Sequence, residues 1–386
     1  MKKSILIPIV LVALSGCGRS SLDLPEDPIS FDVYTLKSRS TSKANGTFIE
    51  GNPLSATTLP EGSQFGIFGY FHQSLGGENG SWDDAVTKGT TNHPNLFFNG
   101  HVTASYDGLT PQYTSDPVRY WPSNDKERIS FFAYYPYDAT GANIKTNLSS
   151  ASNGEGVFEY AVPASAADHI DFMISDLCVD QSKSANYLTG DGKVRFNFHH
   201  VLSQVRIKTV NVINSNPNVT ISNISIMFKN VPLSGRCVVT PTTDGEGKVV
   251  KDANGRVNNN FSWPKTSMSF TREGVNGIEA ELCYDTDDNL IPGQVLLMIP
   301  YNFAYDPAYP DAEIVVVFDV DRTAADGEEY HYRNNELSAP LWKGGSAWVA
   351  NHIYDYNITV RLEGLEMSAE VSDWAVGAGD VDLEEY

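Results

Sequence analysis

Val194-Arg195-Phe196-Asn197-Phe198 decides the fold class. Its apolar residues occupy every second position, the spacing with which a pleated strand turns one row of side chains into a core and the other towards water. Moving outward towards the N-terminus, Phe31-Asp32-Val33-Tyr34-Thr35-Leu36 and Phe65-Gly66-Ile67-Phe68-Gly69-Tyr70-Phe71 carry the β-branched and aromatic residues that strands favour, as do 118–121, 128–135, 157–162 and 171–177. Towards the C-terminus, 201–212, 221–228 and 356–362 read as further strands. The continuous apolar runs 295–299 and 314–318 fit strands buried on both faces. Asp326-Gly327 and Ala253-Asn254-Gly255 have hairpin-turn chemistry, because Gly and Asn accept positive φ. Residues 76–117, polar and rich in Gly, Asn and Thr, read as one long loop. No stretch reads as a long amphipathic helix. With 386 residues, the pattern predicts an all-β chain of two Greek-key β-sandwich domains, 31–190 and 191–386.

The first residues carry a different message. Lys2 and Lys3 precede an apolar run from Ile5 to Ala13, and Leu14-Ser15-Gly16-Cys17 follows. The run is too short to span a bilayer, so residues 1–16 read as a cleavable export signal and the thiol of Cys17 as the acceptor of a lipid. Several acyl chains hold such a protein to a membrane where one alone would bind only marginally. Residues 17–30 form an acidic tether in which Asp23, Glu26 and Asp27 stand among Pro25 and Pro28. A location outside the cytoplasm leaves no ATP or reduced nicotinamide at hand, which excludes many enzyme classes. The 48 acidic against 27 basic residues give a net charge of -21, and loss of Lys2 and Lys3 with the signal makes it -23. That surface repels nucleic acid and anionic headgroups, so the membrane partner is reached through the lipid on Cys17.

Residues able to carry chemistry are few. His199 and His200 are adjacent in a strand and point to opposite faces, so they cannot share a metal, and one of them is expected in the core. Asp168-His169-Ile170-Asp171 reads as a turn. Asp285-Thr286-Asp287-Asp288-Asn289 opens like a calcium loop but has Leu290 at the sixth position and Leu296 at the twelfth, where Gly and a bidentate Glu are required. Asp319, Asp321 and Asp326 could gather a calcium ion of another kind, or be ordinary solvated acids. Cys178, Cys237 and Cys283 lack ligand-like spacing and read as small buried apolar residues. Trp82 and Tyr106 in the expected loop could stack on sugars. With no nucleophile elbow, zinc helix or phosphate loop, we assign no catalytic residue, metal or cofactor.

Trp121-Pro122, Ile129-Ser130-Phe131-Phe132-Ala133-Tyr134-Tyr135-Pro136, Asp171-Phe172-Met173 and Phe198-His199-His200-Val201-Leu202-Ser203-Gln204-Val205 occur in that order. The stretch Trp348 to Val360 and Val371-Ser372-Asp373-Trp374 close the series. Together they resemble the fimbrillin family of Bacteroidia type V pilus subunits, over nearly the whole mature chain. The resemblance implies two transthyretin-like domains, export as a lipoprotein to the outer membrane and cell surface, and no enzymatic activity. It also implies assembly with other pilus subunits: a protease removes the first strand and a neighbour's strand fills the groove. Arg39 matches the basic residue that ends the removed segment. The tail through Val371, Trp374, Val381 and Leu383 is the donor-like strand. The acidic stretch after Cys17 similarly resembles a surface-export signal. The alternative from another class is a lipid-anchored surface protein that binds glycans. Replacing Cys17 by Ala should abolish incorporation of labelled fatty acid and leave the protein unprocessed or released, as read by metabolic labelling of cell fractions.

Overall fold

The structure, a computed structural model, describes residues 27–35, 59–87, 94–108, 110–146, 156–183, 192–252, 255–291, 293–304, 306, 308, 311–344, 347–362 and 364–373. The first half of the chain contributes β1 (Ser30–Thr35), β2 (Gln64–His72), a short helix α1 (Trp82–Thr87), β3 (Phe97–Asp107), β4 (Thr110–Asp116), β5 (Arg128–Tyr135), β6 (Ile144–Thr146), β7 (Gly156–Ala161), β8 (Met173–Ser175), β9 (Leu177–Gln181) and β10 (Lys193–His200). The second half contributes β11 (Ser203–Val212), β12 (Val219–Lys229), β13 (Ser234–Pro241), β14 (Arg256–Val257), β15 (Asn259–Ser262), β16 (Gly277–Ala280), β17 (Leu296–Met298), β18 (Tyr301–Asn302), β19 (Glu313–Thr323), β20 (Glu329–Pro340), β21 (Ala347–Trp348), β22 (His352–Arg361) and β23 (Gly364–Asp373). The protein is all-β, as its alternating pattern requires.

The largest sheet runs β1-β10-β8-β5-β2-β3-β4, with β9 on β5 and β14 on β9. It curls until its two ends, β1 and β4, lie side by side. Side chains from its inner wall, among them Phe31, Phe65, Phe97, Phe131, Phe196 and Phe198, fill the interior. The alternate residues of the same strands face outward to a second core, where Phe132 and Tyr134 of β5 meet Phe158 of β7. Burial on both faces explains why β2 and β5 read as nearly unbroken aromatic runs. Within β2, Gly66 is required by packing: a Cβ there would lie 2.0 Å from the Tyr134 ring.

Strand β7 belongs to the sheet β15-β13-β7-β6. Two further sheets, β17-β11-β22-β23 and β16-β12-β19-β20, pack face to face through Phe228 of β12 against Trp348 and Tyr356. Arg206 on β11 and Asp355 on the parallel neighbour β22 form a buried two-pronged ion pair at 2.6 and 2.5 Å, and the Tyr284 hydroxyl donates to the same carboxylate.

Several expectations are corrected. The division at residue 190/191 does not follow the sheets: β10 pairs with β1 and β8, β13 with β7, and β14 with β9. Alternation in Val194 to Phe198 marks a half-buried strand without saying which sheet takes it. The expected loop 76–117 holds α1 and the β3–β4 hairpin; the inward residues Val102 and Ala104 are small, and the outward Thr and Ser masked the period. Residues 118–121, bounded by Pro117 and Pro122, form no strand, only a bridge from Tyr120 to Pro28. Asp326-Gly327 does turn the chain between β19 and β20, with Gly327 at φ 86°.

The curled core makes a quantitative expectation. Phe65→Ala removes a fully buried ring and should cost about 3–5 kcal/mol of stability. Phe98→Ala, at an exposed position of the same sheet, should change stability by less than about 0.5 kcal/mol. Urea denaturation followed by tryptophan fluorescence separates the two.

Candidate functional site

The slot occupied by β1 combines deep burial with one-sided pairing. Strand β1 runs parallel to β10 in the register Ser30↔Lys193 to Thr35↔Phe198, and among the described residues it has no other ladder partner. Parallel pairing of strands far apart in sequence needs no turn between them, so β1 is held by its own contacts. Phe31, only 2% exposed, stacks on Phe196 at 5.9 Å. It also meets Phe65, Phe97 and Phe131 edge-on at 6.5, 6.1 and 5.9 Å. Val33 and Ile29 are buried beside it.

The outward residue of the strand is charged. Asp32 accepts from Arg195 Nε and Nη2 at 3.1 and 2.8 Å through one carboxylate oxygen. At the strand's entry, Ile29 N–H donates to Arg119 C=O, Trp121 N–H donates to Asp27 C=O, and Lys183 pairs with the Asp27 carboxylate. Phe31 and Val33 are inside, whereas Asp32 is half-buried against Arg195. Arg195 escapes sequence reasoning because a polar residue between Val194 and Phe196 signals a strand face and does not identify its carboxylate partner.

Of the residues expected in processing and assembly, Cys17, Arg39, Trp374, Val381 and Leu383 lie outside the described residues. Val371 lies in β23, opposite Tyr354 of β22, with an exposed side chain. It is therefore an edge-strand residue of the folded body.

The remaining candidates resolve into structural roles. His200 is the core histidine, 2.6 Å from the buried Asp171 carboxylate, while His199 reaches Asp176 at 2.8 Å. Asp171 and His169 are not turn decoration: His169 Nδ1 accepts the Leu297 N–H at 2.7 Å and its Nε2 meets Pro163 C=O at 3.1 Å, tying residues far apart in sequence. Asp319 accepts from Asn223 and the Asn334 N–H; Asp321 takes His331 and Arg333; Asp326 caps its own turn. Donors, not oxygen ligands, surround these carboxylates, and the described residues contain no cluster able to hold a metal ion. Asp285 likewise caps a turn. Cys178, Cys237 and Cys283 are buried and unpaired, as expected. Burial raises the thiol pKa of each, which leaves them inert. Trp82 is wholly buried against Tyr70 and His72 and so offers no face to a sugar, and the Tyr106 hydroxyl donates to Leu59 C=O.

Comparison with known proteins agrees with this architecture. Residues 55–374 match the profile of the fimbrillin-like family. The chain belongs to that family, whose members are fimbrial subunits and not enzymes. Over 218 residues, 53% of its length, it is 32% identical to fimbrium subunit Fim1C of Phocaeicola vulgatus, and it spans about half the length of that relative. The crystal structure of a fimbrial protein from Bacteroides vulgatus ATCC 8482 shares the fold, with a TM-score of 0.52 at 19% identity, covering 90% of this chain and 99% of that one.

The buried histidines give the body a defined pH response. Burial lowers the pKa of His169 to about 4, and that of His72 likewise to about 4. An unfolded histidine binds a proton near pH 6.5, and the folded ones refuse it until pH 4. Their contribution is therefore present above pH 6.5 and lost as pH falls towards 4. The melting temperature should drop across that window, and His169→Gln should make the drop shallower in a calorimetric pH series.

Proposed function

We propose that this chain is the lipoprotein precursor of a type V pilus subunit, made of transthyretin-like sandwiches, carried to the outer membrane on the lipid at Cys17 and assembled at the cell surface by strand exchange. A protease cuts after Arg39, β1 leaves with the lipid, and a strand from another subunit takes its place. The donor is the tail through Trp374 towards Val381 and Leu383, beginning where β23 ends.

The observation that carries this reading is the position of β1. Its Phe31 and Val33 complete a core built by β2, β3, β5 and β10, yet among the described residues its backbone is laddered to β10 alone. Removing it exposes apolar surface and an unpaired strand edge, an unstable state that addition of another strand relieves. The lipid departs with residues 17–39, so the trimmed subunit is held by the polymer. Burial of Trp82 takes away one of the two rings on which the glycan-binding alternative drew.

Purified protein cleaved after Arg39 should form oligomers that survive mild detergent, and protein lacking residues 380–386 should not. Size-exclusion chromatography reads the result; a stable cleaved monomer, indifferent to the tail, would overturn strand exchange.

A further inference from the structure

Within that strand-exchange reading, we propose that Arg195 sets the register of the joint by capturing Asp382 of a second copy of this chain. The slot presents a three-residue requirement. An apolar side chain sits at the place of Phe31 and another at that of Val33, and between them a carboxylate faces Arg195. Loss of β1 takes the Asp32 carboxylate away from a half-buried guanidinium whose Nε and Nη2 had both been donating to it. Restoring a carboxylate at that point recovers a charge-assisted interaction, and placing an apolar residue there does not.

The chain after β23 reads Trp374-Ala375-Val376-Gly377-Ala378-Gly379-Asp380-Val381-Asp382-Leu383-Glu384-Glu385-Tyr386. Asp380 has Gly379 on one side, and Glu384 and Glu385 adjoin each other. Asp382 alone is flanked by two apolar residues, and Val381-Asp382-Leu383 repeats the pattern of Phe31-Asp32-Val33. Because the triplet reads apolar, acid, apolar in either direction, Asp382 meets Arg195 whether the donor runs parallel to β10 or against it. A slip of one residue sets Val381 or Leu383 against Arg195 and turns Asp382 into the aromatic interior, where an unpaired charge is costly. Val or Leu fills the Phe31 pocket less completely than Phe31 does, which leaves more of the register to the ion pair.

Charge complementarity points the same way. In a chain with 48 acidic and 27 basic residues, Lys183, Lys193 and Arg195 all lie along β1: Lys183 pairs Asp27, Lys193 stands opposite Ser30 and Arg195 opposite Asp32. The tail brings Asp380, Asp382, Glu384 and Glu385 with no basic residue. Extended, it reaches on the order of 45 Å from the end of β23, ample for a neighbouring subunit.

The test uses the full chain with a specific protease sequence placed across Arg39. Asp32→Arg with Arg195→Asp reverses the ion pair of the precursor and so preserves its pairing. After cleavage, its oligomers should dissociate about tenfold faster or more, and adding Asp382→Arg in the same chain should restore them. Asp382→Arg alone leaves β1 and its slot untouched, and should show the same loss even if the reversed precursor folds poorly. Cleaved protein lacking residues 380–386 separates the two ideas. If that deletion abolishes oligomers while the Asp382→Arg chain assembles like the native one, the register role of Arg195 is overturned and strand exchange stands. If the deleted chain also assembles normally, strand exchange itself fails.

Discussion

The insertion of Phe31 into a core made by other strands is the contact on which the N-terminal half depends. One ring touches Phe65, Phe97, Phe131 and Phe196, which come from β2, β3, β5 and β10. Among the described residues, the strand carrying that ring is laddered on one backbone edge. A core closed in this way is tightly packed but not topologically sealed. In the proposed exchange, an incoming strand with the same side-chain alternation regains the ladder hydrogen bonds and part of the apolar burial.

Buried directional contacts make the rest of the chain one body. Strand β10 passes through Val201 and Leu202 directly into β11, which ladders in parallel to β22, itself paired with β23. The Arg206–Asp355 pair fixes the register of β11 and β22. His169 to Leu297 and Trp263 to Val201 cross between segments that no turn connects. A continuous route of hydrogen-bonded strands thus leads from the β1 slot to the end of β23.

Legibility followed the size and burial of side chains. Strands with two buried faces, such as β2 and β5, declared themselves by aromatic residues at consecutive positions. The β3–β4 hairpin and the exposed edge strands β20 and β23 went unread, because a strand whose outer face is polar and inner face small differs little from a loop in composition. Trp82 seemed a surface ring in a polar stretch and is core, since α1 folds back onto Tyr70 and His72. Asp171 and His200 meet although their sequence neighbourhoods read as a turn and a strand with no link between them.

By itself the sequence determined that the chain is β throughout, that its three internal cysteines are core residues, and that the Phe31 segment is a strand. Those properties follow from local periodicity and from the water-aversion of individual side chains. Only the tertiary structure decided that β10 lies beside β1, that the largest sheet curls to enclose its own aromatic core, and that Arg195 faces Asp32. Sheet pairing joins residues more than 150 positions apart, as with Asp32 and Arg195, and its hydrogen bonds are made by backbone groups common to every residue, so side-chain pattern selects a strand's face but not its neighbour.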